Sequence, residues 1–307
     1  MQIKFLFKRT LQVLTFGMVL FMLADCKSQG NKKKSDEVTV DQSEVDQNMF
    51  SDISQAKKIF YSLPSPLETA MLIKTAGAKY DPTLLNPIKN VDNYTTNKNM
   101  ALNLGIYTTD LSFASLFDQT QTAINYMGAA KKLADRMGIL DAIDNSTIAR
   151  LEENVNNRDV IMDIISETFM SSSSFLKDND RAAQAAVVLV GGWVEGLYIA
   201  TQLVGDAPIK DNKLVTRIVD QKLSLDIVIK LLDDYKTNPD VASIMPEVND
   251  LKNIYDKITI KTSKIEPVYD ATTKVTTLKS KSEISITPEI FKELTSKIKA
   301  TRSNFII

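Results

Sequence analysis

Between Ala182 and Ile209 the chain carries no Lys or Arg. The heart of this run, "LVGGWVEGLYIATQLVG", holds one charge (Glu195), the chain's single tryptophan (Trp193) and, before its closing Gly205, three glycines, Gly191, Gly192 and Gly196. A helix this apolar either crosses a membrane or is enclosed by other helices. A carboxylate at a bilayer centre is costly and rare. Glycine inside a helix costs about 1 kcal/mol relative to alanine, a loss that close helix packing offsets. The sequence therefore predicts a buried helix over about 180–204. Gly192, Gly196 and Ala200, spaced by four, form the smooth face where a neighbour approaches. Glu195, Tyr198 and Gln202 fall on one side of that helix, with Trp193 and Leu197 on an adjoining stripe. A core carboxylate requires a Lys, an Arg or a helix N-terminus as partner. The alternative is a polar strip in a groove that binds a peptide or small ligand. A catalytic role for Glu195 lacks an identifiable acid–base partner.

The remainder reads as helix at 3.6-residue spacing. Ser65-Pro66-Leu67-Glu68 is a capping-box start, and Gly77 suits the end of that helix. A turn-rich stretch covers 81–93. Helical patterns follow at about 97–117, 118–137, 146–155, 158–172, 180–204, 211–235 and 239–257. Gly138 sits where a left-handed C-terminal residue belongs, and Asn238-Pro239 opens the last of these helices. Pro246 is positioned to bend it. Ser171–Ser174 reads as a frayed helix end or loop. Residues 268–286 are rich in β-branched residues and partly alternating, predicting a small β-hairpin. Thr287-Pro288 then starts a final helix with an Ile290, Leu294, Ile298 stripe. The predicted fold is all-α, mostly antiparallel helices, with a small C-terminal β-hairpin.

A weak internal repeat aligns "LGIYTTDLSFAS" (104–115) with "VGGWVEGLYIAT" (190–201), placing Gly105 on Gly191 and Tyr107 on Trp193. This raises the possibility of two helix-pair repeats. Tyr107 and Asp110 lie one turn apart in the first copy. Together with Trp193, Glu195, Tyr198 and Gln202 they are the candidate ligand or partner groove. Asp110, Asp118 and Glu195 match no recognised calcium loop, so neither a metal nor a cofactor is expected.

Residue types narrow the chemistry. The 307 residues include no histidine and one cysteine, with a net charge of −1. Histidine triads, histidine–zinc sites, thiolate clusters and internal disulfides are excluded, and no catalytic residue is nominated. The balance of charge offers no footprint for nucleic acid. An enzyme is the less favoured class.

The N-terminus reads as an export signal over 1–25: Lys4, Lys8 and Arg9, then the apolar stretch Leu11 to Leu23. Leu23-Ala24-Asp25-Cys26 resembles a bacterial lipobox, with Asp25 where that motif has Gly, Ala or Ser. The resemblance implies a fatty-acylated (palmitate-type) Cys26 as mature N-terminus. Residues 26–47 form a polar, mixed-charge tether, and 48–307 a single helical domain. "NLGIYTTDLSFASLFDQTQTAINYMGAAKKLADRMGI", "GGWVEGLYIATQL" and "ITPEIFKELTSKIKATRSNFI" resemble uncharacterised lipoproteins of the Bacteroidota. That resemblance implies a lipid-anchored envelope protein located in the outer membrane, and no established activity. The early basic residues after Cys26 favour a periplasm-facing domain over a surface-exposed one. The expected roles are a helical scaffold or protein-binding module with an envelope partner, a small-ligand or glycan-binding lipoprotein, and last a carboxylate-dependent hydrolase.

Overall fold

The computed structural model describes residues 71, 73–140, 145–154, 157–262, 266–270, 275–279 and 282–307. The export signal, Cys26, the tether and the Ser65–Glu68 helix start lie outside these residues. Two short 3-10 helices, Pro82–Leu84 and Ile88–Asn93, precede α1 (Asn97–Leu116), α2 (Thr120–Arg136), α3 (Asn145–Glu153) and α4 (Arg158–Asp178). These are followed by α5 (Ala182–Val204), α6 (Lys213–Asp234) and α7 (Pro239–Tyr255). Strands β1 (Thr259–Thr262), β2 (Glu266–Asp270), β3 (Val275–Lys279) and β4 (Ser282–Ser285) lead to α8 (Pro288–Phe305). The fold is all-α with a small antiparallel β element, as its sequence implies.

Local chemistry sets the helix ends. Asn212 accepts from the amides of Leu214 and Val215, Asn238 from Asp240 and Val241 ahead of Pro239, and Thr287 from Ile290 ahead of Pro288. Each supplies an acceptor to an amide that the first turn leaves unpaired. Gly138 closes α2 at φ 62°, with Gly138 N–H bonded to Asp135 O and Ile139 N–H to Ala134 O. The same paired closure ends α1 at Asp118 and α4 at Asp180, both aspartates in the left-handed region at φ 59° and 58°. Pro246 is accommodated inside α7.

Two expectations shift. The Ser171–Ser174 run is helical, and α4 continues through it to Asp178. Leu176, 1% exposed, is buried one turn beyond the serines, so tertiary packing overrides their weak helix propensity. The β element begins at Thr259, earlier than its β-branched composition suggests. β2 pairs with β3, and β1 with β4, both antiparallel, with Thr259 opposite Ser285 and Glu266 opposite Lys279.

Helices α1 and α5 form the central pair and share the most extensive contact in the fold. Helices α2 and α4 pack on α1, while α6, α7 and α8 pack on α5. Both central helices are buried nearly all round, so neither shows the one-sided apolar stripe of a surface helix. Among the described residues α5 is long and apolar enough to cross a membrane, and 83% of that window is enclosed by the protein itself.

Glycine permits the α1–α5 crossing. A Cβ at Gly105 would stand 2.0 Å from Val188 O, and one at Gly191 would stand 2.1 Å from Leu102 O. The contact is reciprocal: each glycine faces the carbonyl three residues before the other. The crossing thus has a local two-fold character in the register of the 104–115 and 190–201 match. At Gly192 the nearest atoms to a Cβ are Thr109 Oγ1 and Gly105 O, at 3.1 and 3.2 Å. The expected face of Gly192, Gly196 and Ala200 is therefore displaced. Gly191 and Gly192 meet α1, and Gly196 and Ala200 border a small crevice on the α6 side.

Candidate functional site

The crossing holds a buried polar cluster. Glu195 and Asp110 are fully buried and Arg302 is 7% exposed. Arg302, on α8, donates through Nε to Glu195 Oε2 at 2.9 Å and through Nη2 to Glu195 Oε1 at 3.0 Å. Its Nη2 also donates to Leu84 O at 3.1 Å. The guanidinium carbon lies 4.5 Å from the centre of the Tyr198 ring, adding a cation–π contact. This two-pronged pairing is the geometry for which guanidinium is suited, and the anionic partner raises the Arg302 pKa despite its burial.

Asp110 has a different environment. Its Oδ2 accepts the Asn86 amide at 3.0 Å, while its buried Oδ1 has no donor. Burial, then the neighbouring Glu195 charge, pushes the Asp110 carboxyl well above its ordinary range; Arg302 and the Asn86 amide pull the other way. A proton on Asp110 would leave the three groups together with no net charge.

Asn86 joins this cluster to the loop before α1. Its side-chain amide donates to Tyr94 Oη at 3.0 Å and Asn103 Oδ1 at 3.1 Å, and its carbonyl accepts from Tyr126 Oη at 2.9 Å. Asn103 and Tyr94 in turn donate to the carbonyls of Phe305 and Ile306, at 2.8 and 3.2 Å. Tyr107, fully buried, donates to Pro87 O at 3.1 Å. Burial raises the pKa of Tyr94, Tyr107 and Tyr126, so all three remain hydroxyl donors.

The six candidate groove residues divide. Asp110, Glu195 and Tyr198 converge on Arg302, and Tyr107 lies in the same interior cluster. Trp193, 8% exposed, points towards α6, where its indole N–H donates to Gln221 Oε1 at 3.2 Å. The crevice beside it, shared with Gly196 and Arg217, has a volume of about 20 Å³, room for one water. Gln202 is half-buried, near the end of α5. Asp118 lies apart from Asp110 and Glu195, exposed and 3.7 Å from Lys74 Nζ. Asn86, Asn103 and Arg302 escaped sequence reasoning because their roles depend on partners far along the chain.

A second site has no counterpart in that reading. Helices α2 and α4 both pack on α1 and leave between them an open cavity of about 330 Å³. Leu104 and Leu111 of α1, Met127 of α2, Ile165 of α4 and Val188 of α5 supply apolar wall. Thr108, Thr168, Ser172 and Ser173 add hydroxyls, and Lys131 is the one charged residue among those lining it. Gly128 leaves part of the α2 wall open, since a Cβ there would meet nothing within 4 Å. The size and composition are those of a small-molecule pocket. Comparison of the chain with models of protein families, with curated proteins and with solved structures returns no match.

Proposed function

We propose that this chain is a lipid-anchored protein of a bacterial cell envelope whose helical domain binds a small apolar molecule between α1, α2 and α4. The observation that carries the binding part is the apolar cavity of about 330 Å³, floored by the rigid α1–α5 pair. In this reading the Glu195–Arg302–Asp110 cluster is structural: it locks α8 and the loop before α1 onto the central pair. Its two carboxylates face a guanidinium and not a substrate, and no hydrolytic role is assigned to them. The anchor rests on the signal-like N-terminus and Cys26. An outer-membrane location with a periplasm-facing domain is part of the same proposal.

A helical scaffold for an envelope protein partner is the second reading. It is favoured by exposed apolar side chains on three helices, Ile124 on α2, Met170 on α4 and Leu223 on α6. The experiment is purification of the full chain from its native envelope in mild detergent, followed by mass spectrometry of its N-terminus and of everything that co-elutes. A small apolar compound that co-purifies with the wild type and not with Gly128→Leu supports the pocket. A stoichiometric protein partner with no small molecule supports the scaffold. An unmodified Cys26 rejects the anchor.

A further inference from the structure

The cavity's shape and its few polar groups narrow the ligand, given that the cavity is the binding site as proposed above. We propose that it holds a single-chain anionic amphiphile of the fatty-acid type, with the acyl chain against α1 and the carboxylate at Lys131. The volume supports one chain. At about 330 Å³ the open cavity lies at the small end of the range for small-molecule pockets, a size that suits one slender chain better than a two-chain lipid. The wall residues are aliphatic or methionine, so they match an alkyl chain and supply no aromatic platform for a sugar.

Two independent polar features set the head group. Lys131 lies one turn beyond Met127 and Gly128 on the same stripe of α2. It is exposed, which places its ammonium in water at the mouth while its stem covers apolar wall. Its neighbours Lys132 and Arg136 are both engaged by Asp92. Lys131 forms no ion pair among the described residues, and no carboxylate lines the cavity to compete with a ligand's. On α4, Thr168 also lines the cavity, and its buried Oγ1 has no hydrogen-bond partner. Thr108 on α1, by contrast, is satisfied by the carbonyl of Leu104. A buried hydroxyl left without an acceptor is destabilising, and a ligand oxygen removes that penalty. One cation at the mouth and one orphan donor in the wall fit an anion that accepts hydrogen bonds, joined to an uncharged chain.

The test uses the full chain held in amphipol without detergent, photolabelled with a diazirine analogue of lauric acid, with labelled peptides mapped by mass spectrometry. Labelling is expected on α1, α2 and α4 and is competed by lauric acid. Gly128→Leu, which fills the cavity, should reduce it by about tenfold or more. Lys131→Gln should weaken lauric acid competition by about five- to tenfold and leave the neutral analogue dodecanol unchanged. Labelling elsewhere, or labelling that lauric acid does not displace, overturns both the cavity reading and this inference, whatever the folding state of Gly128→Leu. Labelling of the cavity with equal competition by lauric acid and dodecanol, unaffected by Lys131→Gln, overturns the anionic head group and leaves the cavity reading standing.

Discussion

Replacing Gly105 by alanine is the sharpest perturbation of this fold. The new Cβ would lie 2.0 Å from Val188 O and 2.6 Å from Gly192 N, about 1 Å inside the 3.0 Å that Cβ atoms respect. Both obstacles are backbone, so no side chain can turn aside. The helices must part by about an ångström, and a gap of 0.5–1 Å already forfeits roughly a quarter to a half of each dispersion contact. Overpacking of this kind costs about 1–3 kcal/mol, and more where the obstacle is rigid. The alanine returns about 1 kcal/mol of helix propensity. With backbone obstacles on both counts the overpacking falls at the top of that range, so the expected net loss is about 2 kcal/mol. Gly128→Ala is the control. It is the same substitution in the interior of α2, with nothing within 4 Å of the new Cβ, so it should stabilise by about 0.5–1 kcal/mol. Urea unfolding followed by far-UV circular dichroism gives both values as shifts in midpoint at constant slope. Gly105→Ala within about 0.5 kcal/mol of wild type, or changes of the same sign at both glycines, would refute the close α1–α5 approach.

Further outcomes follow from the buried cluster and the helix ends. Arg302→Met should destabilise by about 3–5 kcal/mol, because Glu195 is left buried without its counter-charge; adding Glu195→Leu should recover much of that loss in a double-mutant cycle. The raised Asp110 pKa makes the native state hold a proton that the unfolded chain, titrating near 3.8, releases first; the stability of the protonated form is therefore lost as pH rises. Asp110→Asn keeps an acceptor for the Asn86 amide and supplies a permanent donor, so its melting temperature should gain on wild type as pH rises above the ordinary carboxylate range; a gap that narrows with rising pH would contradict the assignment. Asp180→Gly removes a left-handed non-glycine residue at the end of α4 and should stabilise by about 0.5–1 kcal/mol in the same urea assay.

Several features of this architecture are legible in the chain. Asn238-Pro239, Thr287-Pro288 and Gly138 mark helix ends because capping is a local interaction. In the run from 182 to 204 the absence of cations leaves either a membrane span or a buried helix, and Glu195 and the glycines decide for burial. The need of Glu195 for a cationic partner is also readable, but the identity of that partner is not, since Arg302 lies 107 residues away. The alignment of Gly105 with Gly191 pairs two residues that each face the other helix's backbone at the crossing, at Val188 and Leu102, whereas the spacing of Gly192, Gly196 and Ala200 points to a neighbouring face. Helical periodicity gives the angle between residues and not the side from which a neighbour comes. The cavity was invisible for a related reason. Gly128, Lys131, Thr168 and Ser172 look like the ordinary polar side of amphipathic helices, and the gap between α2 and α4 depends on how both rest on α1.

The bridge from Arg302 to Glu195 also makes the end of the chain a clasp on its middle. Without α8, Asp110 and Glu195 would crowd together in the central pair with no guanidinium to reconcile them. Asn103 likewise relies on the carbonyl of Phe305, and Tyr94 on that of Ile306. The central pair is therefore completed only by α8, and loss of that helix would leave Glu195, Asn103 and Tyr94 each short of a partner at once.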